Sequence, residues 1–168
     1  RQYIEAYTGG TVSDGASVEV HFSPSVAGKI LKEPGADLAS LFHFIPQLSG
    51  QAFWSDENLL EFRPDVPMKP GQLYEVTLDF GKLMRVADEL EKFHFSFQVM
   101  QQSFRVDIRG IFSEYEDFGL VAARGEVLLA DAAEAETVEE MIKATFLGDK
   151  LKINWQHDPS GKTSSFVI

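Results

Sequence analysis

Four histidines, at positions 21, 43, 94 and 157, are the side chains of this sequence best suited to proton transfer or metal ligation. None belongs to an H-x-H or H-E-x-x-H pair, the spacings that bring two imidazoles to one ion. In Val18-Glu19-Val20-His21-Phe22, strand alternation puts His21 with Glu19 on the polar face, away from Val18, Val20 and Phe22. His94 takes the same place in the run 93–99. Glu114, Glu116 and Asp117, with Tyr115 among them, form a dense carboxylate group suited to a cation or to a glycosidase-like acid pair. No glycine-centred Asp/Asn loop accompanies them, and a solvated acidic loop accounts for the same residues. The stretch Pro159 to Ser165 (PSGKTSS) holds the lysine and threonine of a phosphate loop without its glycine frame, and it joins two predicted strands. There is no G-x-S-x-G elbow. With no cysteine there is no thiolate nucleophile, disulfide or cysteine metal knuckle. Trp54, after Phe53, is the candidate interaction residue: an exposed indole stacks on sugars or anchors a protein, and a core or end-cap indole is the competing reading. The motifs assign no catalytic, cofactor-binding or metal-ligating residue.

The composition limits what these side chains can serve. A formal charge of −11, from 26 acidic and 15 basic residues, opposes the phosphate neutralisation that nucleic-acid binding needs. Fourteen phenylalanines and a 44% hydrophobic content argue for a folded chain. No uncharged apolar run of about 18 residues is present, so no membrane span is expected. The chain opens at RQYIEAYTGG, without an initiator Met or a signal-peptide core, as a processed protein or an excised segment would.

Period-two patches predict the elements that carry these residues: strands over 18–22, 41–46, 58–64, 73–80 after a Pro70-Gly71 turn, and 93–99 with Phe93, Phe95, Phe97 and Val99 inward. Half-wet strands with closely spaced turns predict antiparallel sheets in a β-sandwich. Residues 81–93 read either as a short helix, with Leu83, Val86, Ala87 and Leu90 in a stripe, or as a loop draped over the sandwich end. Alternation resumes at 103–112, and 118–131 predicts a strand with a bend or bulge at Gly125. Val138, Met141, Ile142 and Thr145 mark a short helix within 131–148 that stops at Gly148, with Met141 and Phe146 among its core contacts. Strands over 150–155, with Leu151, Ile153 and Trp155 on one face, and over 164–168 flank a turn at 157–163. The compositional break at Met100-Gln101-Gln102-Ser103 divides the chain into residues 1–100 and 101–168.

Three stretches carry a family resemblance: GGTVSDGASVEVHFSPSV, then GQAFWSDENLLEFRPDVPMKPGQLYEVTL with Leu60, Phe62, Pro64, Pro70, Gly71, Tyr74 and Val76, then FHFSFQV. They resemble bacterial Ig-like envelope domains, and in particular the early part of alpha-2-macroglobulin-like proteins. RGEVLLADAAEAETVEEMIKA and KLKINWQHDPSGKTSSFVI look like the macroglobulin-type domain that follows. The resemblance implies a mainly β chain of two antiparallel Ig-like/macroglobulin-like β-sandwiches, the second with a short helix and possible truncation at 168. It implies a noncatalytic, non-enzyme scaffold or spacer of a protease-trapping envelope protein, in the periplasm or cell envelope and held there by a lipid anchor outside this chain. Its partners would be neighbouring domains of the parent protein and a protease or other envelope protein, with no cofactor. The alternative reading is a cell-surface adhesin or carbohydrate-binding β-sandwich module.

Overall fold

The computed structural model describes residues 3–30, 36–113 and 121–168. The acidic group Glu114, Glu116 and Asp117 lies outside the described residues. The chain divides into two compact units, Arg1–Met100 and Gln101–Ile168.

The first unit runs β1 (Ile4–Tyr7), β2 (Gly10–Val12), β3 (Val18–Phe22), the one-turn helix α1 (Pro24–Ala27), β4 (Phe42–Ile45), β5 (Gly50–Asp56), β6 (Leu59–Pro64), β7 (Leu73–Asp79) and β8 (Lys92–Val99). One sheet has the order β1-β3-β6-β5 and the other β2-β8-β7-β4. The first sheet sends Val18, Val20, Phe22, Leu60 and Phe62 into a core that the second meets with Phe42, Phe44, Tyr74, Val76, Leu78, Phe95, Phe97 and Val99. Period-two alternation makes this possible: Val18 faces Phe62 and Val20 faces Leu60 across one ladder, while Phe44, Val76 and Phe95 line up across the other. Gly50 is needed where β5 meets β6, since a Cβ there would lie 2.3 Å from the Arg63 carbonyl oxygen. Residues 81–93 are not a helix. Phe80–Lys82 and Asp88–Leu90 are single 3-10 turns, and Leu83, Met84 and Val86 fold onto the core from the loop between them.

The second unit runs β9 (Phe104–Ser113), β10 (Val121–Leu129), α2 (Ala135–Met141), β11 (Ala144–Phe146), β12 (Asp149–Leu151), β13 (Asn154–His157) and β14 (Thr163–Val167). Its sheet has the order β13-β14-β10-β9, and β11 and β12 pair only with each other. The helix is shorter than its sequence pattern predicts. Ile142 is already extended (φ −104°, ψ 126°), and Leu147 and Gly148 both take positive φ (51° and 97°), so Gly148 turns a hairpin instead of ending a helix. The β-branched residues Ile142 and Thr145 favour that outcome. Met141, Phe146 and Leu151, expected in the core, are exposed, while Trp155 is half-buried and packs edge-on against Phe166.

The expected pair of antiparallel Ig-like/macroglobulin-like β-sandwiches is corrected. The chain is a mainly β, multi-sheet protein. In the first unit β2 runs parallel to β8, so that unit is not wholly antiparallel. In the second unit, the stretch that would have to supply a facing sheet supplies a seven-residue helix and a two-stranded ribbon.

Candidate functional site

The second unit leaves one side of its sheet open. Alternation and register place Phe104, Val106, Ile108 and, past a bulge, Ile111 on the same face as Ala123, Gly125, Val127 and Leu129 of β10 and Ser164 and Phe166 of β14. The opposite face carries Arg105, Asp107, Arg124 and Glu126. On the apolar side, α2 seats Val138 against Val127 and Phe166, and these three form the buried centre. The cover stops there. Phe104, Val106, Ile108, Ile111 and Val121 are exposed, Ile111 at 72%. Ile111, Val121, Ala123, Phe146, Leu151, Lys152 and Ile168 line an open groove of about 380 Å3. Scattered exposed apolar side chains need no explanation, but a contiguous strip along one strand marks an interaction surface.

The bulge at this strip has a physical cause. β9 shifts register opposite Arg124 and Gly125, which leaves Arg109 as the extra residue. Gly125 sits under the Phe166 ring: a Cβ there would lie 2.4 Å from the ring tip and 2.7 Å from the Asp107 carbonyl oxygen. The glycine lets Phe166 lie flat on the sheet. On the polar face Arg105 pairs with Asp107 at 2.9 Å, Arg109 pairs with Glu126, and the Arg124 guanidinium covers the Phe112 ring at 5.3 Å.

The histidines are separated, and each has a local partner. His21 Nε2 is 3.3 Å from Glu19 Oε2, His43 Nε2 is 3.0 Å from Asp79 Oδ2, and His94 Nδ1 is 2.9 Å from Thr77 Oγ1. Lys82 and then His43 hydrogen-bond Asp79 and hold its carboxyl below the ordinary range. A hydrogen bond from Ser17, helped by Arg63, does the same for Glu61. Asp158 is held low by the Ser160 hydroxyl and backbone amide in the turn before β14. Among the described residues no group of three His, Cys, Asp or Glu could hold a metal ion.

Tertiary structure assembles one constellation that sequence reasoning missed. His157 Nδ1 lies 2.9 Å from Ser164 Oγ and its Nε2 lies 3.0 Å from Glu139 Oε1, with Trp155 stacked on the imidazole at 5.8 Å. The types are those of an acyl-transfer triad, but Ser164 is 3% exposed, so its hydroxyl cannot reach a substrate carbonyl. The three residues tie α2 to β13 and β14. The only sequence signal for the tie was a histidine at the start of a predicted turn.

Trp54 is half-buried. It packs on the core of the first unit with its ring 5.6 Å from Phe22. The first unit also has a groove of about 380 Å3 between β1 and β8, lined by aromatic residues that include Tyr3, Tyr7, Phe80 and Phe93. Tyr7 packs on Phe93 and Phe95, and Tyr3 on Phe80, so the floor of this groove is continuous with the core. Among the described residues no helix is long and apolar enough to cross a membrane.

No family model and no curated protein matches the chain. Similar solved structures are bacterial L,D-transpeptidases. L,D-transpeptidase 3 from Mycobacterium tuberculosis in complex with a faropenem-derived adduct matches at TM-score 0.40 and 17% identity, over 63% of this chain and 40% of that one. An L,D-transpeptidase from Mycobacterium smegmatis matches at TM-score 0.38 and 15% identity, over 63% of this chain and 41% of that one. A second structure of the M. tuberculosis enzyme matches at TM-score 0.40 and 13% identity, over 92% of this chain and 58% of that one. The chain thus spans less than two thirds of the length of each, and likeness at this level transfers neither activity nor substrate.

These findings correct the alpha-2-macroglobulin resemblance: no family model and no curated protein supports it, and the similar structures named above are L,D-transpeptidases. The Ig-like and protease-inhibitor labels, the protease-trapping scaffold and the adhesin or carbohydrate-binding alternative are set aside with it. The description of the chain as no enzyme came with that resemblance and is set aside with it. This chain itself contains no cysteine.

Proposed function

We propose that the chain works as a protein-association module, in which the open sheet of the second unit receives a β-structured segment of a partner protein. The observation that carries this reading is the exposed apolar strip Phe104, Val106, Ile108 and Ile111 on a long edge strand. Such an edge offers two kinds of contact at once. Main-chain groups give strand pairing and alternate side chains give apolar burial, the combination used in β-strand addition. The first unit buries its own core.

The test places a photo-reactive side chain at Ile111 of the full chain in its source cells. Leu73, an exposed apolar residue of the first unit, serves as the control. A discrete protein adduct at Ile111, absent at Leu73 and lost when Ile108→Asp is added, is the expected result. No adduct at Ile111, or equal labelling at both positions, overturns the reading.

A further inference from the structure

The run Phe104-Arg105-Val106-Asp107-Ile108 reads as apolar, basic, apolar, acidic, apolar. Reversed about Val106 it keeps its apolar positions and exchanges its charges. An antiparallel strand with that symmetry is complementary to itself. We propose that the partner of β9 is a second copy of this chain, paired antiparallel about a two-fold axis at Val106. The proposal rests on the association reading above and names its partner.

Backbone direction agrees with this register. In antiparallel ladders, alternate residues turn both N–H and C=O toward the same neighbour. The Ala130 amide donates to the Ser103 carbonyl, so Ser103 faces β10 and Phe104 faces away from it. The Leu129 amide, opposite Phe104, donates to Lys162 on the other side, which gives the same phase. Phe104, Val106 and Ile108 therefore direct their main-chain groups outward, where no described strand pairs with them. With the axis at Val106, Val106 meets its counterpart, Phe104 meets Ile108 of the second copy and Ile108 meets Phe104. Each of these is a position that exchanges both hydrogen bonds. The same side chains lie on the apolar face, so the two open strips join into one.

The charges fall on the other face at the intervening, closely spaced positions. Arg105 stands opposite Asp107 of the second copy, and Asp107 opposite its Arg105. Within one chain these residues already pair at 2.9 Å, so the contact forms a ring of alternating charge. Moving the axis by one residue to Asp107 would set aspartate against aspartate and Arg105 against Arg109, and would lose this match. The bulge at Arg109 ends the regular ladder just beyond Ile108. The general repulsion between two chains of charge −11 acts against pairing and is screened by salt, so association strengthens as ionic strength rises.

Sedimentation of the full chain over a range of protein and salt concentrations tests the pairing. The expected result is a concentration-dependent dimer that tightens with salt. Asp107→Lys makes the charged positions of the run 104–108 both basic and Arg105→Glu makes them both acidic. Each variant alone should sediment as a monomer, and an equimolar mixture should restore the dimer, which also shows that both variants are folded. Val106→Pro removes an amide that no described strand of the same chain uses and should abolish the dimer with the circular dichroism unchanged. A wild-type chain that stays monomeric at high concentration and high salt overturns self-pairing, as does a charge-swapped mixture that remains monomeric. If Ile111 still yields an adduct to a different protein in either case, the association reading stands and only the identity of the partner falls.

Discussion

Replacing Gly125 by alanine tests how the open face is built. The new Cβ would meet the Phe166 ring at 2.4 Å and the Asp107 carbonyl oxygen at 2.7 Å, both well inside contact distance. The ring can tilt, but the carbonyl belongs to the paired backbone of β9 and cannot move without opening the bulge. Overpacking of this kind costs about 1 to 3 kcal/mol. The loss falls on a unit whose buried hydrophobic cluster, among the described residues, is Val127, Val138 and Phe166, so it removes a large part of the stability such a small core supplies. For a unit of this size each kcal/mol lowers Tm by roughly 4 to 8 °C. Thermal unfolding of the full chain, followed through the Trp155 and Trp54 environments, should show the second-unit transition moving down while the first-unit transition holds its place. Adding Phe166→Leu should recover part of the Gly125→Ala loss, because it relieves the ring clash and leaves the carbonyl clash. An unchanged second-unit transition in Gly125→Ala, or strict additivity with Phe166→Leu, would refute the account of how Phe166 docks.

Phe95→Ala should cost about 3 to 5 kcal/mol in the first unit, measured by denaturant unfolding, because the buried ring packs between Tyr7 and Phe93. His157→Ala should cost about 1 to 3 kcal/mol by stranding the buried Ser164 hydroxyl, and amide exchange in α2 should accelerate while β7 and β8 stay protected. Lys82 and His43 hold Asp79 below its unfolded value of about 4, so the folded chain binds fewer protons in acid. Stability from this carboxylate is complete above the unfolded pKa and is lost as pH falls through the lower folded one. Asp79→Asn should therefore flatten the acid limb of a stability–pH curve.

Local periodicity made several elements legible. Val18, Val20 and Phe22, and Phe95, Phe97 and Val99, share faces because side-chain direction in a strand depends only on the residue and its neighbours. The irregularity at Gly125 was readable for the same reason, since an isolated glycine in an apolar strand marks a bulge or a close approach. The strand β5 was not, because Gln51-Ala52-Phe53-Trp54-Ser55 has no clean alternation and its pairing depends on β6. The parallel pairing of β2 with β8 joins distant parts of the chain, and no local pattern records it. Residues 131–148 carried a helical period, yet only Ala135–Met141 keeps it, because the ribbon at Leu147 and Gly148 takes the remainder. The Glu139, His157 and Ser164 tie comes from three separate elements, so it exists only once α2 has docked. The open face shows the division most clearly. The sequence by itself determined that Phe104, Val106 and Ile108 share one side of a strand. Only tertiary structure decided that this side stays uncovered, because covering a face depends on where another element packs, and Val138 of α2 packs with Val127 and Phe166 while Phe104, Val106 and Ile108 remain exposed.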